Sequence, residues 1–264
     1  MLNHPIGIFD SGIGGLTVAQ AVHQLMPYEN ILYVADAGFM PYGSKTPMQV
    51  QQRCEAITSH LVDQGAKAIV VACNTATMAA IQALRERTQV PIIGVEPGVK
   101  PALALSQTGV IGVLATPATI ASSSFQNLCE RQLQGRGSIV YQSCPELASS
   151  IEALHLEGEY MQRLLLQYVE PLLAQQVDTL VLGCTHYAFV LPTLKQILPE
   201  HVQVVTTEQA VAQQVKRRIA MQTCSASALG KVQLQTSADV TNLRQQVTTL
   251  WPQLTPASIA NNTF

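Results

Sequence analysis

No stretch of the chain approaches the ~20 consecutive apolar residues that a bilayer-spanning helix needs. The N-terminal MLNHPIGIFDSG has neither the basic segment nor the apolar core of an export signal. A cytoplasmic location is therefore expected, with no membrane partner. Basic residues are equally sparse: fifteen Lys and Arg against seventeen Asp and Glu leave a formal net charge of −2. Only Lys216-Arg217-Arg218 cluster, which reads as the solvated last turn of a helix. With no basic stripe to follow a phosphate backbone, nucleic acid is not an expected partner. No P-loop is present, no PLP-type lysine is evident, and no G-x-G-x-x-G follows a strand, so no cofactor is expected. The near miss SGIGGLT, residues 11–17, lacks the dinucleotide spacing, and its glycines read as permitting close backbone approach to a ligand.

Charged residues make up 12% of the 264 residues and aromatics 5%, whereas 47% are apolar, which describes an Ala/Val/Leu/Ile core and excludes a disordered chain. Short apolar runs at 6–9, 31–34, 68–72, 92–95, 110–114, 139–141, 179–182 and 202–205 read as strands. Helical periods fill 13–26, 76–87, 120–134, 159–174, 190–198 and 208–221 between them. A further helix is marked by its start signals: Thr46 as cap, Pro47 at the first position and Gln49 completing a capping box, with Gly65 as the stop. Alternating strands and helices predict an α/β protein with doubly wound parallel sheets.

The pattern occurs twice. IGIFDSG (6–12) lies over IGVLATP (111–117), ILYVADA (31–37) over SIVYQSC (138–144), and AIVVACNTA (68–76) over TLVLGCTHY (179–187). The reading is two similar α/β domains related by pseudo-two-fold symmetry, with an active site in the cleft between them. The first would comprise residues 1–96 plus about 208–254, the second 97–207. VQLQTSADVTNLRQQVTTLW would add a strand and a helix capped by Ser237 or Asp239, and residues 255–264 would form a loosely packed tail.

In this alignment Ser11 falls on Thr116 and Cys73 on Cys184, each cysteine ending a strand and followed by polar residues. Ligands of doubly wound sheets bind beyond the carboxyl ends of the strands, where Asp10, Ser11, Cys73, Asn74, Thr75, Cys184, Thr185 and His186 are placed. Asn74 and Thr75 at a helix start, and Thr185 with the N–H groups after it, would form two anion sites suited to a dicarboxylate. A thiol on each side of a bound carbon is what inversion requires: one thiolate removes a proton from one face and the other thiol returns one to the opposite face. Asp10 near Cys73 and His186 near Cys184 are the candidate groups that activate the thiols. No metal site is expected. Cys54, Cys129, Cys144 and Cys224 read as buried filler, and with no C-x-x-C pair in a reducing compartment all six cysteines should be thiols.

The stretches GIFDSGIGGLTV (7–18), DAGFMPYGSKT (36–46), VVACNTAT (70–77), IGVEPGVKPA (93–102), GVLATPATIASSSF (112–125) and VLGCTHY (181–187) together resemble the glutamate racemases of the cofactor-independent aspartate/glutamate racemase superfamily. The resemblance covers nearly the whole chain. It implies two-base interconversion of L- and D-glutamate, supplying D-glutamate for peptidoglycan. It further implies that Cys73 takes the proton from D-glutamate and Cys184 from L-glutamate. Substrate contacts would fall on Asp10, Ser11, Tyr42, Gly43, Asn74, Thr75, Thr116, Thr119, Thr185 and His186, with Asp10 and His186 assisting the thiols. Glu152, in CPELASSIE, matches a family carboxylate near the second thiol. A homodimer is the candidate assembly, in a family whose assemblies vary. Members that depend on a cell-wall precursor as activator usually carry an N-terminal extension; here the first strand starts by Ile6, and no such requirement is expected.

Other readings use the same fold: an aspartate racemase, a one-cysteine decarboxylase, or a two-lobed binding protein. Two matched thiols argue against the last two, and only family similarity separates glutamate from an acid one methylene shorter.

Overall fold

Runs of apolar residues with no polar alternation become strands buried on both faces. In the computed structural model, which describes residues 4–220 and 228–264, β1 (Ile6–Asp10), β2 (Ile31–Ala35) and β3 (Ala68–Val71) are buried at every position. They pair in parallel, as continuous hydrophobic strands do when helices cover both sides of a sheet. Between them lie α1 (Leu16–Leu25) and α2 (Pro47–Asp63). The predicted capping box of α2 is present: Thr46 Oγ1 accepts from Gln49 N at 3.3 Å while Gln49 Oε1 accepts from Thr46 N at 3.0 Å. α3 (Asn74–Arg87) follows β3 after two residues, and β4 (Ile92–Gly94) pairs with β3.

A second unit, Glu96–Thr207, has its own sheet and core. It runs through α4 (Val99–Leu105), β5 (Val110–Ala115), α5 (Pro117–Ala121), α6 (Ser123–Leu133), β6 (Ser138–Ser143), α7 (Leu147–Glu152), α8 (Glu159–Leu173), β7 (Thr179–Leu182), α9 (Leu191–Ile197) and β8 (Gln203–Val205). The single helix predicted over 120–134 is two, because Ser122 leaves helical geometry and its Oγ accepts from Phe125 N at 3.4 Å to start α6. α4 and α7 are short helices that no apolar period announced. The region predicted as a helix from 190 is preceded by a 3-10 helix, Thr185–Val190.

The chain then contributes α10 (Glu208–Arg218), β9 (Val232–Thr236), α11 (Val240–Leu250) and β10 (Ser258–Asn261) to the first unit, which comprises Met1–Val95 and Glu208–Phe264. The last residue of the helix predicted over 208–221, and Cys224, lie outside the described residues. Asp239 caps α11, accepting from Thr241 N at 3.1 Å and Asn242 N at 3.3 Å. The expectation of a loose tail is corrected: β10 pairs in parallel with β9, extended by Ala257 N–Val232 O and Asn262 N–Thr236 O bonds of 2.8 Å.

The first sheet has the order β10-β9-β2-β1-β3-β4 and the second β6-β5-β7-β8. Stripped of β9 and β10, the first order repeats the second, strand for strand: second, first, third, fourth. That identity is the structural form of the sequence repeat, and it puts Cys73 and Cys184 after the third strand of each sheet.

Candidate active site

In the first unit, β1 ends at Asp10 and its neighbour β3 leads through Ala72 to Cys73. Asp10 is fully buried, and its Oδ2 accepts from Gly12 N at 3.1 Å, folding the chain sharply at the strand end. Ser11 is buried beside the thiol, its Oγ 3.8 Å from Cys73 Sγ. Gly15 allows this compactness. A Cβ there would lie 2.7 Å from Asp10 Cβ, closer than real side chains come, and a tight 3.0 Å from Ala72 Cβ. The close approach expected here is to a ligand; what Gly15 meets is the protein's own strand ends.

Cys73 is the N-cap of α3, with extended backbone angles and no side-chain capping bond. Asn74 and Thr75 open that helix; Asn74 is buried, Thr75 half-buried. Asn74 Oδ1 is one of three buried side-chain atoms among the described residues that lack a hydrogen-bond partner. An unpartnered buried acceptor is costly, and this one stands at a helix start next to a strand-end thiol. Tyr42 is buried, its hydroxyl donating to Asp36 Oδ2 at 2.7 Å, while Gly43 beside it is exposed. Burial first, then the nearby Cys54 and Asp36, push the Tyr42 phenol far above its ordinary range, so it stays a donor.

The second unit builds a different arrangement at the matching place. Cys184 is half-buried, and its Sγ lies 3.7 Å from His186 Nδ1. His186 Nε2 lies 2.7 Å from Glu152 Oε1 at the end of α7. The result is a thiol–imidazole–carboxylate chain. Burial alone would lower the imidazole pKa; hydrogen bonding to Cys184 and Glu152 outweighs it and holds His186 well above the ordinary histidine range.

Thr185 is buried at the start of the 3-10 helix. Thr116 caps α5, its Oγ1 accepting from Thr119 N at 3.3 Å and lying 2.9 Å from Thr119 Oγ1. The second anion site foreseen at Thr185 therefore opens on a 3-10 rather than an α-helix. Cys144, read from the sequence as filler, is buried near Cys184. Burial, and after it the neighbouring Cys184, push its thiol up to about 12, so it stays protonated. Sequence reasoning also missed Asp36, a buried carboxylate that organises the Tyr42 loop; the only signal was its place at the end of the β2 run in DAGFMPYG.

Each unit thus carries a cysteine at the carboxyl end of the third strand of a doubly wound parallel sheet, with polar groups converging on it. This defines an α/β protein with a polar cluster and a cysteine at the strand ends of each sheet, where ligands of doubly wound folds bind. The sequence profile of the Asp/Glu/hydantoin racemases matches residues 16–215, and the chain belongs to that family. It is an amino-acid racemase, an isomerase.

Among its relatives, the glutamate racemase of Ectopseudomonas mendocina (strain ymp) is 50% identical over 214 residues, 81% of each chain. The crystal structure of glutamate racemase isoform RacE1 from Bacillus anthracis matches with a TM-score of 0.90 at 30% identity, covering 100% of this chain and 99% of that one. The glutamate racemase of Francisella tularensis subsp. tularensis SCHU S4, solved with D-glutamate, matches with a TM-score of 0.87 at 25% identity over 100% and 98% of the two chains.

Proposed function

We propose that the protein interconverts L- and D-glutamate without a cofactor, using Cys73 and Cys184 as its two acid/base groups. The observation that carries the proposal is the Cys184–His186–Glu152 chain, matched in the other unit by a second strand-end thiol. A relay of this kind has a purpose when the thiol must hold and release a proton, and inversion at carbon needs one such thiol for each face. The 50% identity to a glutamate racemase, and the D-glutamate in a homologous structure, support glutamate as the substrate.

In the L-to-D direction, the Cys184 thiolate takes the α-proton, breaking the Cα–H bond and leaving its electron pair on the carbon. The Cys73 thiol then donates its proton to the opposite face, forming D-glutamate and becoming the thiolate that starts the reverse reaction. Each cycle leaves one thiol and one thiolate exchanged, so no oxidant, reductant or external base is consumed. His186, oriented by Glu152, balances the charge as Cys184 gains and loses its proton. Asp10 and Ser11 serve Cys73. Asn74, Thr75, Thr116, Thr119, Thr185 and the Tyr42–Gly43 loop bind the substrate's two carboxylates and its ammonium group, and Asn74 Oδ1 is the acceptor for that ammonium. Preorganised donors at the α-carboxylate, and exclusion of water, would lower the cost of the carbanion. The product's role, in this reading, is to supply D-glutamate for peptidoglycan in the cytoplasm.

The test is incubation with L-glutamate in heavy water with nothing else added. The expected result is D-glutamate carrying deuterium at the α-carbon, with L-aspartate turned over far more slowly. Turnover that needs PLP or a metal, or that survives both Cys73→Ala and Cys184→Ala, would sink the proposal.

A further inference from the structure

We infer that Asp36 is a positioning residue for the substrate loop, holding the Tyr42–Gly43 turn in place at the carboxyl end of the first sheet. The inference rests on the reading above in which that loop touches the substrate. Asp36 is the residue immediately after β2, fully buried, and its backbone N–H donates to Asp10 O at 2.9 Å. It is therefore fixed at the strand end next to a residue of the proposed site.

Its carboxylate gathers donors from three separate segments. Tyr42 Oη donates to Oδ2 at 2.7 Å from within the loop. Arg53, on α2, gives a two-pronged contact, Nε to Oδ2 at 2.8 Å and Nη2 to Oδ1 at 2.6 Å. Ser237, which follows β9, donates its hydroxyl to Oδ1 at 2.6 Å and accepts from Gly38 N at 2.9 Å. Gly38 is pressed onto that same residue so closely that a Cβ would sit 2.5 Å from Ser237 O. Both ends of the loop are thereby tied: Gly38 to Ser237, and Tyr42, through Asp36, to Arg53 and Ser237.

Two consequences distinguish this role from mere packing. The Tyr42 proton is committed to Asp36, so the hydroxyl has none to give a substrate, and the loop's offering at this point is the exposed backbone around Gly43. Asp36 itself, fully buried and engaged by four hydrogen bonds, acts through Tyr42 and never touches the reacting atoms. A buried carboxylate bridging a two-pronged arginine gives geometric order as well as energy, and loop order is what a small-molecule site needs to bind without a large entropic cost. Loosening it should weaken binding and leave the thiols untouched.

The experiment measures KM and kcat with L-glutamate for Asp36→Asn, Ser237→Ala and Tyr42→Phe, together with each variant's thermal midpoint. Asp36→Asn is expected to raise KM about tenfold while kcat changes little, the effect of losing roughly one charge-assisted hydrogen bond of loop order. Ser237→Ala and Tyr42→Phe each remove one donor and should shift KM in the same direction by less; they keep the test available if Asp36→Asn does not fold. Tyr42→Phe added to Asp36→Asn should raise KM no further, since both act through one contact. A lowered thermal midpoint with unchanged KM in all three variants would make Asp36 purely structural and overturn the inference. Gly43→Ala separates the two levels: no rise in KM for that variant removes the loop from the substrate site and takes both readings down. A rise there with none in the Asp36 series leaves the proposed function standing and rejects this role.

Discussion

Glu152 Oε1 stands 2.7 Å from His186 Nε2, on the side of the imidazole opposite Cys184, whose sulfur lies 3.7 Å from Nδ1. The carboxylate comes from the end of α7 and the histidine from the turn after β7, so their meeting depends on the packing of that short helix against the 3-10 segment. Such a contact fixes which imidazole nitrogen faces the thiol and makes the ring's charge depend on a partner far away in sequence.

Replacing Glu152 by Gln keeps the shape and removes the charge that helps hold His186 protonated. The racemisation rate at neutral pH should fall about tenfold to a hundredfold, in the range for a group that tunes an acid/base residue. The alkaline fall of the rate profile should also move to lower pH. Stability follows the same linkage. The folded pKa of His186 is raised, so its contribution is fully present below the ordinary value of 6.5 and is lost as pH rises through the folded pKa. Wild type should therefore exceed Glu152→Gln by about 1 to 3 kcal/mol in denaturant titrations near pH 6, with the gap closing at alkaline pH. A gap that widens with pH would contradict the assignment.

Asp178 gives the opposite pH dependence. Burial tends to raise its pKa, but it accepts from Ser106 Oγ at 2.5 Å, Gln107 N at 2.6 Å, Thr108 N at 2.8 Å and Thr179 Oγ1 at 3.0 Å. These bonds to the charged form win and bring it from 3.8 to about 2. A depressed folded pKa contributes stability above the unfolded value that is lost as pH falls through about 2. Asp178→Asn should cost about 2 kcal/mol at neutral pH, and the cost should shrink as pH falls toward about 2 and vanish below it. Thermal unfolding of both proteins across that range checks the sign.

The strand skeleton and its doubling were legible because a strand buried on both faces must be an unbroken apolar run, and each run ends where the polar site begins. Cys73 and Cys184 could be singled out because β3 and β7 have matched sequence as well as matched sheet positions. What escaped reading depends on side chains meeting across long separations. The Ser237–Asp36 contact joins residues far apart in the chain, and neither has a local pattern that announces it. β10 escaped because its pattern is short and mostly exposed, and only its pairing to β9 makes it a strand. Glu152 was placed by family resemblance alone, because α7 is too short to show a period.

Asn74 should trade stability against binding. Its Oδ1 is buried without a partner, a deficit of about 1 to 3 kcal/mol in the substrate-free protein. Asn74→Ala removes the orphan acceptor at the cost of some packing, so unfolding by urea should show stability retained or increased. KM for glutamate should rise by about tenfold or more, since the substrate's ammonium group loses its acceptor. A variant that is both less stable and unchanged in KM would show that Asn74 serves the fold.

The single-thiol variants provide the sharpest test of two bases. On the proposed mechanism, the Cys184 thiolate of Cys73→Ala should still remove the proton from L-glutamate, with no acid left for the opposite face. The proton must return from the side it left. In heavy water this protein should wash deuterium into L-glutamate without forming D-glutamate, and should leave D-glutamate unlabelled. Cys184→Ala should show the mirror behaviour, labelling D-glutamate only. Racemisation itself should fall by at least about a thousandfold in each, since neither remaining thiol can reach both faces. Mass and chiral analysis of the recovered amino acid reads both quantities from one sample. Loss of labelling from both enantiomers in both variants would point to a shared step that needs the two thiols together. Labelling of both enantiomers by either variant would remove the facial assignment, because one base would then serve two faces.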